Sequence, residues 1–337
     1  MKKTLLALAV TGAFAGAAVA QTNVTLYGIA DAGIGMADSD VPGSDSIVEV
    51  FSGVQSTSRF GVRGSEDLGN GLKAVFNIEA GIDYGTGNHD AQFWQRRAVV
   101  GLAGSFGEVR LGRDYTPGFL AAGTTDVMGY GMFGNWLTYT AQGGNLGVAT
   151  RASNGLHYTG TFGGVTVRAM YATGEDHSGN NVGDMYGLSG VYAAGPLTVQ
   201  GYFQSIDNGT GNDDQYGVGV QYRFGAFRVA VNYGMADRDD GLEHEGIGVG
   251  AGIKLGSGEL LVNYIQQELD SAGSPEAKSF GIAYVHPLSK RTNLYASYGQ
   301  LDNKDGAAFG LRYSQSFVGT SANQDPKAFA VGIRHMF

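Results

Sequence analysis

Residues 217–235 read GVGVQYRFGAFRVAVNYGM, two alternating runs that meet at a short glycine turn. Apolar side chains occupy every second position of both runs: Val218, Val220, Tyr222 and Phe224, then Phe227, Val229, Val231, Tyr233 and Met235. The positions between them carry glycine or polar residues such as Gln221 and Asn232. A period of two over about ten residues predicts β-strands long enough to cross a bilayer, with one apolar face and one polar or bare face.

The same alternation recurs further along the chain. Apolar residues at Ile247, Val249, Ala251, Ile253 and Leu255 alternate with Gly248, Gly250, Gly252 and Lys254. A soluble β-sandwich also alternates, but its outward face is polar and its strands usually have about five or six residues. The longer runs favour an all-β fold, a transmembrane antiparallel β-barrel.

Short turns and longer segments alternate between the runs. Tight turns are expected at 66–71, 104–107, 160–164, 193–196, 224–226, 255–258 and 286–291. Longer segments lie at 37–46, 84–91, 114–150, 174–184, 206–214, 236–246, 267–277 and 302–326. Seven turns and eight loops join 16 strands. Both chain ends then lie on the short-turn side, which is the periplasmic side of an outer-membrane barrel.

The end of the chain contains two further alternating segments. Residues 307–317 resemble an extra strand, but counting them would put the two chain ends on opposite sides, so we place them as an excursion within the eighth loop. The run 329–337 alternates to its last residue, Phe337. We expect it to pair with the first strand, 24–36, which would remove both sheet edges.

The N-terminus has the three regions of a secretory signal peptide. They are the basic pair Lys2-Lys3, the apolar run 5–10 and the small-residue end Ala18-Val19-Ala20. Cleavage after Ala20 would leave the barrel as residues 21–337. It would also remove two lysines and change the formal charge from −9 to −11, which makes nucleic acid a poor partner.

Composition excludes several other classes of protein. The chain has no cysteine, and therefore neither disulfides nor thiolate metal sites. After residue 20 no stretch of about 20 apolar residues occurs, so no membrane helix is expected. The six histidines are scattered, with no pair at the spacing of a metal site. We expect no cofactor, no metal and no catalytic residue, although an outer-membrane barrel hydrolase stays the rival class.

Four stretches of the chain resemble the general porins of Gram-negative bacteria, most closely the betaproteobacterial type. They are VTLYG at 24–28, SRFGVRGSEDLG at 58–69, LGRDYTP at 111–117 and the terminal GIRHMF at 332–337. The resemblance implies a trimer of 16-stranded barrels, each with a third loop, here 114–150, folded inward to set the pore size. It also implies that Phe337 is a signal for the barrel-assembly machinery.

The resemblance further implies where the pore constriction lies. Its arginines fall on Arg59, Arg97, Arg113 and Arg151, opposite the carboxylate of Asp126 in the third loop. Relatives with a strongly acidic third loop have a second carboxylate, at a position where this chain has Tyr130. The constriction is therefore expected to have few carboxylates opposite its arginines. The alternative is that these arginines are ordinary solvated residues of the lumen wall.

Strand parity supports part of this assignment. Phe60 and Val62 share one face, which directs Arg59 and Arg63 into the lumen. The same test directs Arg97 inward, and Lys73 and Arg168 are further bases expected on the lumen wall.

Arg113 fails the parity test. It has the parity of the apolar Leu111 and would face lipid unless Gly112 marks a β-bulge. An outward arginine costs about 2 to 4 kcal/mol at the bilayer midplane, so a bulge is the favoured interpretation.

Two surfaces leave alternatives open. Tyr130, Phe133, Trp136 and Tyr139 in the third loop could form an aromatic track for sugars, which would make the protein a solute-specific channel, although packing is the commoner role of such residues. The acidic cluster at 237–245 lacks the spacing of a calcium loop. Solvation explains that cluster, and contact with lipopolysaccharide through divalent cations is the alternative.

We therefore predict an outer-membrane diffusion channel for ions and small hydrophilic solutes with a mild preference for anions. Local arginine charge at a narrow point outweighs acidic loops that salt screens. The expected trimer contact is a small-residue face of Gly28, Ala30 and Ala32, which shares its parity with Leu26. Tyr27 competes with these residues for the outward direction.

Overall fold

The computed structural model describes residues 23–174 and 181–337. The expected signal peptide, 1–20, and its cleavage after Ala20 lie outside the described residues. Almost all regular structure is antiparallel β-sheet, because the alternating runs leave few segments with helical periodicity. None of the described helices is long and apolar enough to cross a membrane.

The strands of the sheet follow one another along the chain. They are β1 (Asn23–Asp38), β2 (Ile47–Ser52), β3 (Arg59–Gly69), β4 (Leu72–Gly81), β5 (Arg97–Gly104), β6 (Gly107–Tyr115), β7 (Arg151–Phe162), β8 (Val165–Ala172), β9 (Met185–Ala194), β10 (Leu197–Asp207), β11 (Asn212–Phe224), β12 (Phe227–Asp237), β13 (Glu243–Leu255), β14 (Gly258–Asp270), β15 (Glu276–Pro287), β16 (Thr292–Lys304) and β19 (Lys327–Met336).

These strands occupy 16 positions around a closed barrel, as predicted. β2 and β3 count as one position, because both pair with β1: Ile34 lies opposite Val50, and Leu26 lies opposite Val62. The segment 53–58 interrupts that position. Closure is made by β1 and β19, which pair from Ile29 opposite Met336 to Asp38 opposite Lys327.

The two faces of the sheet differ in the way that a bilayer requires. Outward side chains are large, apolar and exposed, for example Leu26 at 62% and Val218 at 58%. Buried polar side chains occupy the inner face: Gln204, Gln215, Asn232, Asn263, Gln267, Ser279, Ser297 and Asn303. A soluble sandwich would have the opposite arrangement, so the structure supports the transmembrane barrel.

The eighth loop lies between β16 and β19 and contains the segment 307–317. Its two short strands, β17 (Leu311–Arg312) and β18 (Phe317–Val318), pair only with each other among the described strands. The prediction that this segment is an excursion and not a barrel strand is confirmed. It therefore leaves both described chain ends on the side of the short turns.

The third loop contains both helices of the described residues, α1 (Pro117–Ala122) and α2 (Leu137–Thr140). Thr116 caps α1, since its hydroxyl accepts a hydrogen bond from Phe119 N at 3.2 Å. Pro117 follows the cap, at a position where its missing N–H costs nothing. These helices start and end inside the barrel, so the inward fold of 114–150 is confirmed.

The last residue completes the closure of the barrel. Phe337 N donates to Gly28 O at 3.1 Å, and Gly28 N donates to Phe337 O at 3.0 Å. The Phe337 ring lies over Gly28, where no side chain stands in its way. A Cβ at position 28 would meet this ring and would lie 2.6 Å from the carbonyl oxygen of Arg59.

We predict that Gly28→Ala destabilises the folded barrel by about 1 to 3 kcal/mol, because the added methyl overpacks the closing seam. The measurement is the temperature at which the folded form is lost in detergent. Gly190→Ala is the matched control, since a Cβ there meets no atom within 4 Å. Equal unfolding temperatures for the two variants would contradict this account of the seam.

Candidate pore constriction

A cavity of about 460 Å³ lies between the barrel wall and the second, third and eighth loops. Four arginines line it: Arg59, Arg96, Arg151 and Arg312. Two of them, Arg59 and Arg151, are among the residues predicted for the constriction. Arg96 and Arg312 were missed, and Arg97, Arg113 and Asp126 do not line this cavity.

Arg59 and Arg96 share one buried carboxylate. Arg96 Nε lies 2.7 Å from Glu79 Oε1, and Arg59 Nε lies 3.7 Å from Glu79 Oε2. Tyr27 donates its hydroxyl proton to the same carboxylate at 2.9 Å. The pKa of the Arg96 guanidinium is raised, since the acidic neighbours, Glu79 among them, outweigh its burial. Strand parity could have predicted that Glu79 points into the lumen, because Glu79 lies opposite Gly61 on the inner face.

Arg151 is held by an aromatic residue in place of a carboxylate. Its Nη2 donates to the Tyr115 hydroxyl at 2.8 Å, and its guanidinium carbon lies 4.3 Å from the centre of the Tyr115 ring. Its Nε has no hydrogen-bond partner among the described residues. The charge of Arg151 is therefore not neutralised by an acid of the described chain.

Arg312 reaches the cavity from the eighth loop. It donates to the carbonyl oxygen of Ala141 and lies 4.4 Å from the centre of the Phe317 ring. Burial alone lowers the pKa of its guanidinium, and no carboxylate of the described residues offsets that effect. Arg312 is thus the second cation of the cavity that uncharged groups hold in place.

Arg97 lies in the lumen, as parity predicted, but it does not line the cavity of Arg59 and Arg151. Its Nε lies 2.7 Å from Asp114 Oδ1, and Arg110 Nη1 lies 2.7 Å from Asp114 Oδ2. Arg97 lines a second cavity of about 440 Å³, which extends past Arg63 to Asn23 at the periplasmic end of β1. The paired charges make Arg97 part of a buried wall network.

Arg113 follows the predicted irregularity. The register of β6 and β7 shifts between Gly112 and Asp114, and Gly112 has a φ of +121°. Arg113 Nε donates to Gln95 O at 2.5 Å, and Nη1 donates to Ser153 Oγ at 2.8 Å. It lines a neighbouring cavity, not the one that contains Arg59. A role for Arg113 in ion selection stays a prediction.

The expectation that Asp126 faces the arginines is wrong, because its carboxylate is used inside the third loop. It accepts backbone N–H groups from Met128 at 3.1 Å, Tyr130 at 2.9 Å and Trp136 at 3.3 Å. Only 4% of the residue is exposed. Burial raises the pKa of Asp126. The acids beside the arginine cavity come from the wall and the second loop, as Glu79 and Asp90.

The third loop packs against glycines of the inner wall. They face loop atoms so closely that a Cβ would collide: Gly219 with Thr125, Gly234 and Gly246 with Tyr139, Gly248 with Trp136, Gly250 with Val127, and Gly281 and Gly299 with Phe133. Bare positions on β11 to β16 thus form the surface on which the loop is docked. This explains why the inner face is rich in glycine.

The predicted sugar track along the third loop does not lie at the pore surface. Phe133, Trp136 and Tyr139 are at most 1% exposed, because they pack against the glycine-rich wall. Of the four residues, only Tyr130 lines the arginine cavity. The packing interpretation holds for the other three.

The eighth loop also folds into the barrel, which sequence reasoning missed. Gly134 N donates to Arg312 O at 3.1 Å, and Thr57 N donates to Ser314 Oγ at 2.9 Å. Phe309 and Leu311 are buried beside the third loop. The alternating apolar residues of 307–317 are the sequence pattern that indicated burial, even though this segment is part of a loop.

The other predicted lumen residues lie on the inner face. Arg63 lies opposite Asn77, Lys73 opposite Asp67, and Arg168 opposite the buried Ser189. Over 23–174 and 181–337, no group of three or more His, Cys, Asp or Glu side chains is placed to hold a metal ion.

A family model and several known proteins match most or all of this chain. A family model described as Gram-negative porin matches residues 6–306. The chain is 36% identical to outer membrane porin protein 32 of Delftia acidovorans and 30% identical to an outer membrane porin protein of Bordetella pertussis, with 100% of each chain covered. The solved anion-selective porin from Comamonas acidovorans has a TM-score of 0.84 and 32% identity, over 94% of this chain and 100% of that one.

We predict that Trp136→Ala loosens the third loop, since it removes packing worth about 3 to 5 kcal/mol. The loop would then sample more positions in the lumen. Single-channel recordings should show a broader distribution of conductance and more open-channel noise. Trp94→Ala is the control, because Trp94 is 37% exposed on the second loop. A folded Trp136→Ala channel as quiet as the parent would refute the docking role.

Proposed function

Because the chain belongs to the family of Gram-negative porins, we propose that its arginine-lined cavity is the narrow part of a pore that prefers small anions. The protein is an outer-membrane porin, a water-filled channel for passive diffusion of ions and small hydrophilic solutes. One observation carries the anion preference: Arg151 and Arg312 are held by uncharged groups, so their charge is available to a solute.

The charge of the cavity is positive although the chain is acidic. Four guanidinium groups, those of Arg59, Arg96, Arg151 and Arg312, face two carboxylates, Glu79 and Asp90, which leaves a formal excess of two positive charges. The net charge of −9 belongs to the whole sequence. Mobile salt screens charges on the outer loops over about 8 Å, whereas low-dielectric walls focus the field of the cavity.

Similarity to known porins supports the same preference. The solved Comamonas porin is described as anion-selective and shares 32% of its residues with this chain. An anion passing Arg151 would exchange some of its water for guanidinium donors, which bind oxyanions well. A diffusion channel must release what it binds, so weak binding of this kind concentrates anions without trapping them.

We predict that Arg151→Gln and Arg59→Glu both move the zero-current potential in a potassium chloride gradient toward cations. One charge at about 4 Å is worth about 1 kcal/mol in water, roughly a fivefold change in permeability ratio. Arg59→Glu should shift more, since it changes the charge by two, and both shifts should shrink as salt rises.

Lys304→Gln is the control for this series, because that lysine lies about half exposed at the end of β16, beside Asp302. It should leave the potential unchanged. A wild-type pore that favours potassium over chloride would show that the acidic loops dominate. The assignment of the arginines to ion selection would then be wrong.

A trimer is proposed on the basis of the outward face of β1. Leu26 points outward, and Gly28, Ala30 and Ala32 share its parity, with Gly28 covered by the Phe337 ring, whereas Tyr27 points inward to Glu79. Such a face of small side chains allows close protein contact. The surrounding exposed apolar residues, among them Val331 and Ile333, would extend the contact.

We predict that Ala32→Trp weakens this trimer, since a large ring would hold the subunits apart. The mass of the protein in mild detergent, measured by light scattering, should correspond to three chains for the parent and to fewer for the variant. Val220→Trp places the same ring on the outward face of β11, far from β1, and should remain trimeric. A parent that is monomeric in mild detergent would contradict the proposal.

Three further partners, the barrel-assembly machinery, outer-membrane lipid and lipopolysaccharide, are proposed from where the relevant residues lie on the barrel. Phe337 is 46% exposed at the periplasmic end of the closing seam, where the barrel-assembly machinery could read it as a terminal signal. The outward apolar band contacts outer-membrane lipid, and the acidic loops at the opposite rim lie at the level of lipopolysaccharide.

A further inference from the structure

Three aromatic rings line the arginine cavity. Tyr115 and Phe119 are stacked, with ring centres 5.3 Å apart and planes 7° apart, and Tyr130 lies 4.6 Å from Phe119. All three line the cavity that contains Arg96, Arg151 and Arg312. We call these three residues the aromatic row.

Separate contacts hold each ring of the aromatic row in place. The Tyr115 hydroxyl accepts hydrogen bonds from Arg96 at 2.6 Å and from Arg151 at 2.8 Å. Phe119 lies in the first turn of the capped helix α1. Tyr130 has a φ of +61°, and its N–H is bound by Asp126. The row is therefore a rigid surface that begins at the arginines.

The aromatic row differs from the other aromatics of the third loop. Phe133, Trp136 and Tyr139 are buried against the glycine-rich wall and fix the loop. Tyr115, Phe119 and Tyr130 instead form part of the cavity lining. Rings beside a pore add nothing to the passage of chloride or phosphate, whereas the parts of the rings that border the cavity can contact a planar aromatic solute by face or by edge.

We propose that the constriction favours small carboxylates that carry a planar aromatic ring. The carboxylate binds the arginines in the bidentate manner that guanidinium groups allow, and the ring stacks on the aromatic row. The proposal rests on the anion preference proposed above and adds a class of solute to it. An uncharged sugar would leave the guanidinium groups without an anionic partner.

The test compares benzoate with cyclohexanecarboxylate, which has the same charge and a similar size but no π-face. Each is added to many channels in a planar bilayer at constant chloride, and the concentration that halves the chloride current is measured. We expect benzoate to act at a roughly two- to tenfold lower concentration, as one aromatic contact would give. Equal concentrations for the two acids in the wild-type pore would overturn the proposal.

Phe119→Leu tests the aromatic row directly, since it keeps apolar volume and removes the aromatic face. It should bring the two half-block concentrations together. Phe93→Leu, on the exposed second loop, is the matched control and should keep the difference. A Phe119→Leu pore that keeps the full preference for benzoate would also overturn the proposal.

The measurements separate failure here from failure of the proposed anion preference. An anion-selective wild-type pore that treats both acids alike refutes only the role of the aromatic row. A cation-selective wild-type pore refutes both. If Phe119→Leu does not insert, the comparison of the two acids in the wild-type channel still decides.

Discussion

The pairing of β1 with β19 is the constraint on which the rest of the molecule depends. Inside a bilayer every backbone N–H and C=O needs a partner within the protein, so a sheet can cross only when it has no free edge. The two hydrogen bonds between Gly28 and Phe337 complete this closure at the last residue. Closure also makes the inside of the barrel a separate compartment, which polar side chains and loops must fill.

The two larger packed cores therefore lie in the lumen, where the third loop contributes to both, and not between layers of structure. Trp136 and Tyr139 of the third loop pack on β12 and β13, where Gly234, Gly246 and Gly248 leave room for their rings. A wall of larger side chains would push the loop into the pore. The glycines that weaken a strand in isolation thus determine where the pore runs, because the loop is pressed to one side of the barrel.

The sequence predicted the barrel well because a period of two and short turns are local signals. The split strand at 53–58 and the constriction were harder, because they depend on contacts between distant segments. Arg96 precedes β5, so strand parity says nothing about it, and Arg312 arrives through the eighth loop. Asp126 was misassigned because its carboxylate binds backbone groups of its own loop, which composition does not reveal.

The placement of the acids explains how an acidic chain can present a positive pore. Glu79 and Asp114 are buried in the wall and each is bound by two arginines. Burying a carboxylate is costly unless cations and hydrogen bonds compensate for the lost hydration. These two acids therefore neutralise part of the positive charge of the lumen. Arg151 and Arg312 escape this compensation, since an aromatic ring and a carbonyl oxygen fix them instead. A guanidinium positioned by uncharged groups keeps its charge for the solute, and that is the property a selective constriction needs.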